Sequence, residues 1–261
     1  AAAAALLQRL AGRELACSAN QPERSQRIAA EKSAWEHELG AWTHERDPFS
    51  LAIAQGSKFM HPRQMLRELE QAMPPGAMVA TDIGNVCSVA NSYLRFEQPR
   101  SLFAAMSFGN CGYAFPVACG AKIASPDRPA IAYVGDGAWG ISLNELLTCA
   151  REKIGVTVVV FNNGQWGAEK KNHVDFYSRR YQGVELENPS WAAVAKSFGC
   201  DGVVVDKVGD VGAALQDSVK RQADGRTTII EMMVTKELGD PFRRDALSKP
   251  VRHLAKYKSF V

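Results

Sequence analysis

The chain has 261 residues, 46% hydrophobic and 23% charged, close to the averages of soluble globular proteins, so neither disorder nor a fibrous class is indicated. A formal charge of +3 is too small to imply nucleic acid, and no apolar run approaches the roughly 20 residues that cross a bilayer. Six scattered cysteines without a CxxC pair argue against zinc ribbons and iron–sulfur clusters and fit reduced thiols in a cytoplasm.

The chain opens at Ala1 with no basic region before Leu7, so a secretory signal is not expected, and the missing initiator methionine reads as a trimmed or partial chain. Residues 1 to about 46 read as charged helix, because Ile28, Trp35, Leu39 and Trp42 fall on one helical stripe. Asp47-Pro48 and the unpatterned stretch to Lys58 read as a linker. Arg63 to Met73 is the next expected helix, with Pro62 in its first turn and Pro74-Pro75-Gly76 ending it. Beyond it, apolar runs alternate with helical patterns. Strands are expected at Met78–Thr81, Ala130–Val134, Val156–Phe161, Gly202–Val205 and Thr228–Val234. Helices are expected at Gly112–Ala124, Ser142–Lys153, Trp191–Phe198 and Val211–Ala223. Unbroken β-branched runs suit strands buried on both faces, so the expected fold class is α/β, a parallel sheet flanked by helices.

Gly135-Asp136-Gly137 follows the second of these strands, at the carboxyl end where open parallel sheets bind ligands. The glycines permit a close backbone approach, and a following helix N-terminus suits a diphosphate. Another 24 residues, Ala138 to Phe161, provide one helix and one return strand before Asn162-Asn163, which places both strand ends side by side. The Asp136 carboxylate, the Asn163 amide oxygen and the backbone carbonyl of Gln165 make three hard oxygen ligands, a set that suits Mg²⁺ shared with phosphate oxygens. The competing reading is an ordinary turn at Gly135-Asp136-Gly137 and a hairpin loop at Asn163-Gly164.

The spacing GDG-x24-NN resembles the thiamine-diphosphate motif of the acetolactate-synthase-like superfamily, over roughly residues 60 to 261. The resemblance implies that thiamine diphosphate and Mg²⁺ are the cofactors. It assigns cofactor binding to Ile83, Gly84 and Asn85 in the first loop, Gly109 and Cys111 in the stretch from Ser107 to Pro116, Gly135, Asp136, Gly137 and Ala138, and Asn163, Gln165, Trp166 and Gly167. Cys111 occupies the slot in which most relatives carry a bulky aliphatic residue that bends the cofactor. Read without the family, it is a small buried hydrophobe. Trp139 and Trp166 lie within the two motif loops, where an aromatic is as often packing as lining.

Within the superfamily, SFGNCGYAFP at 107–116, QWGAEKKN at 165–172 and ELGDPFRRDAL at 237–247 are similar to the sulfoacetaldehyde acetyltransferases. That likeness implies conversion of sulfoacetaldehyde and phosphate to acetyl phosphate and sulfite through a thiamine adduct. It also implies an activating glutamate in the N-terminal domain of a neighbouring subunit, hence an oligomer, and a chain inactive by itself. Residues 1–57 would then be a helical remnant of a preceding middle domain plus linker, and 58–261 the C-terminal cofactor domain with a basic tail. Lys170, Lys171, His173, Arg179 and Arg180, with Arg243 and Arg244 in the tail, are candidates for holding the sulfonate or phosphate. Other readings are a different carboligase or decarboxylase, the cofactor subunit of a split enzyme, or a non-catalytic regulatory protein of the same fold.

Overall fold

The computed structural model describes residues 2–11, 21–44 and 59–236, and the chain divides into two units, 1–42 and 43–261. In the first unit the expected single helix is two, α1 (Ala2–Leu10) and α2 (Gln21–His44), the latter running just past the unit boundary. Of the expected stripe, Leu39 is buried while Ile28 and Trp35 stay exposed, and Trp35 and Trp42 meet edge to face at 5.6 Å. The expected linker at 47–57 lies outside the described residues.

The second unit is built on one six-stranded, all-parallel sheet in the order β2-β1-β3-β4-β6-β5. The strands are β1 (Met78–Thr81), β2 (Leu102–Ala104), β3 (Ala130–Gly135), β4 (Thr157–Asn162), β5 (Asp201–Val205) and β6 (Thr228–Met233). Ile131, Val134, Val158, Val159 and Val160 are all fully buried, as strands covered on both faces require. The strand β2 is missing from the sequence expectation, because three residues with Leu102 exposed at the sheet edge leave no apolar signal.

Helices follow in chain order: α3 (Pro62–Gln71), α4 (Asn85–Ala90), α5 (Ala114–Ala124), α6 (Asp136–Ser142), α7 (Leu146–Glu152), α8 (Gly167–Phe176), α9 (Trp191–Ser197) and α10 (Val211–Arg221). One face of the sheet, with Ala132, Val134, Val158 and Val160, packs on Phe115 and Cys119 of α5, Trp139 of α6, Leu146 of α7 and Trp191 of α9. On the other face α10 packs against α3, and its Ser218 hydroxyl meets that of Thr157 at 2.6 Å. The helix expected from Ser142 starts six residues earlier, at Asp136 itself, and a 3₁₀ turn at Leu143–Glu145 divides it. Neither α4 nor α8 is expected from sequence; both begin inside the motif loops.

Candidate functional site

The register Gly135↔Phe161 sets the carboxyl ends of β3 and β4 side by side, with β1 on the other flank of β3. Three side chains then tie the loops at that edge together. Asp82, just past β1 and 3% exposed, accepts from the backbone N–H groups of Ile83 (3.0 Å) and Gly112 (3.1 Å) through Oδ1 and of Ala114 (3.1 Å) through Oδ2. It therefore clamps the 107–113 loop, with Gly109 and half-buried Cys111, onto the end of β1. Asn85, the first residue of α4, donates from Nδ2 to the carbonyl of Gly167 at 3.2 Å, joining the β1 loop to the start of α8. The third tie is Asp136.

Asp136 is 2% exposed. Its Oδ1 accepts from Gly137 N–H at 3.0 Å, and its Oδ2 from Gly164 N–H and from Asn188 Nδ2, both at 2.7 Å. Burial pushes its carboxyl up from the usual carboxylate range, against the downward pull of the Gly164, Asn188 and Gly137 donors. Every one of those donors is neutral, and among the described residues no cationic side chain pairs with it. A buried carboxylate in that condition is a natural partner for a cation from outside the chain. On the neighbouring loop Asn163 Oδ1 accepts from Gln165 N–H at 3.2 Å, so its amide oxygen faces the turn that carries the Gln165 carbonyl. The Gln165 side chain donates to the carbonyl of Lys236 at 3.2 Å, while its buried Oε1 accepts nothing within the described residues.

The 163–167 loop is gripped from outside by residues 184–188. Trp166 N–H donates to Val184 O at 2.8 Å and Leu186 N–H to Gly164 O at 2.9 Å, and Gln165 pairs with Glu185 as an antiparallel bridge. The loop is therefore not a hairpin turn between two adjacent strands, as the competing sequence reading required. Trp166 lies over the Gly135–Gly137 turn: a Cβ on Gly137 would come within 2.7 Å of its indole ring. Trp139 has no such place. It is fully buried and packs on Phe115 at 5.2 Å, so it belongs to the core.

The expected basic cluster is dispersed. Lys170 pairs with Glu185, which also takes Lys236 at 2.7 Å, and its ammonium lies 5.2 Å from the centre of the Tyr181 ring. Lys171 and His173 lie along α8, with His173 against Tyr177 and Tyr181, whereas Arg179 and Arg180 are exposed beyond its far end. Arg179 lies just past the C-terminal end of the ten-residue α8, its N–H donating to His173 O at 2.9 Å, whereas Gly167 begins that helix. Arg243 and Arg244 lie outside the described residues. Asp82, Asn188 and Glu231 belong to the site and are not among the residues expected from sequence. A lone acidic residue within the otherwise apolar β6 is the signal that could have found Glu231, because a charge between two buried faces needs partners.

Burial also pushes the Asp82 carboxyl up from the usual carboxylate range, outweighing the N–H donors of Ala114, Ile83 and Gly112. The folded chain then holds that proton more tightly than the unfolded chain. This contribution to stability is full below the ordinary value of 3.8 and is lost as pH rises through the raised folded value. Thermal melts of the unliganded chain are expected to give a wild-type advantage over Asp82→Asn that shrinks as pH rises above the ordinary value of 3.8. An advantage that grows with pH would mean that the backbone donors outweigh burial.

The family model of the thiamine pyrophosphate enzyme C-terminal TPP-binding domain matches residues 82–232, which hold every loop just described. The chain is 62% identical to a sulfoacetaldehyde acetyltransferase of Castellaniella defragrans and 59% identical to one of Alcaligenes xylosoxydans xylosoxydans, in each case over 100% of this chain and 45% of the relative. It thus spans just under half the length of those two curated relatives. Among solved structures, a thiamine diphosphate-dependent 4-hydroxybenzoylformate decarboxylase of Rhodococcus jostii RHA1 superposes with a TM-score of 0.63 at 24% identity, over 69% of this chain and 33% of that one. The last likeness bears on fold alone. With the matched residues running from Asp82 through both motif loops to β6, the chain belongs to the thiamine pyrophosphate enzymes, as their C-terminal TPP-binding domain.

Proposed function

We propose that this chain is the diphosphate- and magnesium-holding part of an enzyme that converts sulfoacetaldehyde and phosphate to acetyl phosphate and sulfite. The observation that carries the reading is the 62% identity to a sulfoacetaldehyde acetyltransferase across the whole of this chain, with Asp136 and the Asn163 loop hydrogen-bonded into one site. When bound, thiamine diphosphate supplies a carbanion able to add to an aldehyde carbonyl.

The protein's share is holding and orienting. Asp136, Asn163 and the Gln165 carbonyl are the proposed Mg²⁺ ligands; three hard oxygens with one formal charge suit that ion when phosphates complete its shell. Gly135, Gly137, Ala138, Trp166 and Gly167 line the diphosphate side, with Ile83, Gly84 and Asn85 across from them. Gly109 and Cys111 lie on the loop that Asp82 holds. Cys111 is smaller than the aliphatic residue expected there and leaves more room beside the ring. Lys171, Arg179 and Arg180 are the proposed anion contacts, while Lys170 is committed to Glu185. The proton-handling glutamate is proposed to come from a preceding domain of a second subunit, which makes the working enzyme an oligomer. Exposed Met106, Phe108 and Ile141 near these loops favour such a contact. The five cysteines among the described residues are all free thiols, which supports a cytoplasmic location.

The test is a fusion of this chain behind the region that precedes the matched segment in the Castellaniella relative. With thiamine diphosphate, Mg²⁺, phosphate and sulfoacetaldehyde it is expected to form acetyl phosphate and sulfite in equal amounts, and the chain alone none. Cofactor binding with turnover of a 2-oxo acid instead would favour a carboligase or decarboxylase. Turnover by the chain alone would reject the two-part site.

A further inference from the structure

Behind Asp136 stands a line of polar side chains running into the sheet. Glu231 lies in β6 with its side chain 2% exposed, between Ile230 and Met232, which are fully buried. Its Oε2 accepts from Ser190 Oγ–H and from Ala192 N–H, both at 3.0 Å, and its Oε1 accepts from Asn162 Nδ2 at 2.8 Å. Asn162 Oδ1 in turn accepts from Asn188 Nδ2 at 3.0 Å, and the same Asn188 amide donates to Asp136 Oδ2 at 2.7 Å.

The chemistry of these groups fixes the direction of every bond. A carboxylate offers acceptors alone, so Asn162 must turn its NH₂ toward Glu231 and its oxygen toward Asn188. Asn188 must then turn its NH₂ outward, and both of its hydrogens are used, one on Asn162 and one on Asp136. A reversed Asn188 would set its oxygen against two acceptors. Glu231 therefore dictates, through two amides, that Asp136 meets a donor.

We propose that Glu231, Asn162 and Asn188 form a one-way hydrogen-bond relay that positions the Asp136 carboxylate for its metal ion, with Asn188 and Glu231 as positioning residues. The relay rests on the reading of Asp136 as an Mg²⁺ ligand. It also assigns the oxygen. Oδ2 is occupied by both Gly164 N–H and Asn188, whereas Oδ1 takes the Gly137 N–H and is the oxygen proposed to meet the ion. Outer partners of this kind are what hold a ligating carboxylate in one orientation, and losing them typically costs 10- to 100-fold in metal affinity.

Two measurements on the 261-residue chain decide the matter separately. Without ligand, the side-chain NH₂ groups of Asn162 and Asn188 are followed by ¹⁵N NMR in the wild type and in Glu231→Gln. The new amide must set an NH₂ against either the Asn162 NH₂ or the Ala192 N–H, so exchange of both asparagine amides is expected to speed up more than about 10-fold. Unaltered exchange would overturn the relay whatever the metal does. With thiamine diphosphate present, Mg²⁺ is titrated by calorimetry. Asn188→Ala and Glu231→Gln are expected to weaken Mg²⁺ about 10- to 100-fold, and Asn188→Asp, which sets acceptor against acceptor, at least as much. If Asn188→Ala does not fold, Asn188→Ser, which keeps one donor, is expected to retain more affinity than Asn188→Asp. Wild-type affinity in these variants, with binding lost in Asp136→Ala, would overturn the relay and leave the ligand reading intact. Equal affinity in the wild type and Asp136→Ala would remove Asp136 as a ligand, and the exchange measurement would then stand alone on the relay.

Discussion

Asp136→Ala is expected to abolish the rise in melting temperature that Mg²⁺ and thiamine diphosphate together confer, while changing the melting temperature of the unliganded chain little. Two effects oppose each other without ligand. Removing the carboxylate leaves Gly164 N–H, Gly137 N–H and one hydrogen of Asn188 without an acceptor, a loss of about 1–3 kcal/mol for each that water does not reach. It also removes a buried charge that no described cation offsets and whose protonation burial already favours. The two effects offset each other in part, so the unliganded chain is expected to change far less than the liganded one. With ligand present nothing opposes the loss, because the ion loses the one charged ligand that the proposed site takes from the protein. A ligand at 100 times its Kd stabilises the native chain by about 2.7 kcal/mol, or roughly 5–11 °C for a domain of this size. That increment is the signal expected to vanish. A variant that keeps it would exclude Asp136 from the metal site.

The part of the site that lies within a few residues of the two motifs is legible in the sequence, because its chemistry is carried by residue types that few other roles require. Asp136 between two glycines and Asn162-Asn163 at the end of an unbroken β-branched strand are of that kind. The helices that start in these loops are not legible. Neither Gly84 before α4 nor Trp166 before α8 caps its helix with a side-chain hydrogen bond, so the usual N-terminal signal is absent and the loops alone determine where the helices begin. Tertiary partners stay hidden for a different reason. Asn188 reaches Asp136 across 52 positions and Glu231 reaches Asn162 across 69, and local pattern carries no record of such pairs. The basic run at 170–180 hides its partners in the same way. Lys170, Lys171 and His173 lie along α8 and Arg179 and Arg180 beyond it, and the first of them pairs with Glu185, which approaches from the 184–188 segment.

The largest expected effect on the fold itself comes from a glycine far from either motif. Gly202 lies in β5 opposite Ile229 of β6, and a Cβ there would fall 2.1 Å from the carbonyl oxygen and 2.7 Å from the carbonyl carbon of Ala192. Those atoms are backbone, in the first turn of α9, so no rotamer change relieves the overlap. Gly202→Ala must push β5 and α9 apart, and α9 has little freedom to yield. Its Trp191 and Ala195 pack into the core of the sheet, and Ala192 N–H is held by Glu231. Overpacking commonly costs about 1–3 kcal/mol, and a backbone-to-backbone clash belongs at or above the upper end. A loss of about 3 kcal/mol corresponds to a melting temperature lower by roughly 6–12 °C. The displacement also acts on the proposed metal site. Moving the start of α9 draws Ala192 N–H and Ser190 Oγ away from Glu231, the anchor from which Asn162, Asn188 and Asp136 are oriented. Gly202→Ala is therefore expected to weaken Mg²⁺-dependent thiamine diphosphate binding even at temperatures where the chain remains folded. Alanine at Gly209, where an added Cβ meets nothing within 4 Å, is the control that should leave both quantities unchanged. A lowered melting temperature with undiminished binding in Gly202→Ala would separate the packing of α9 from the orientation of Asp136.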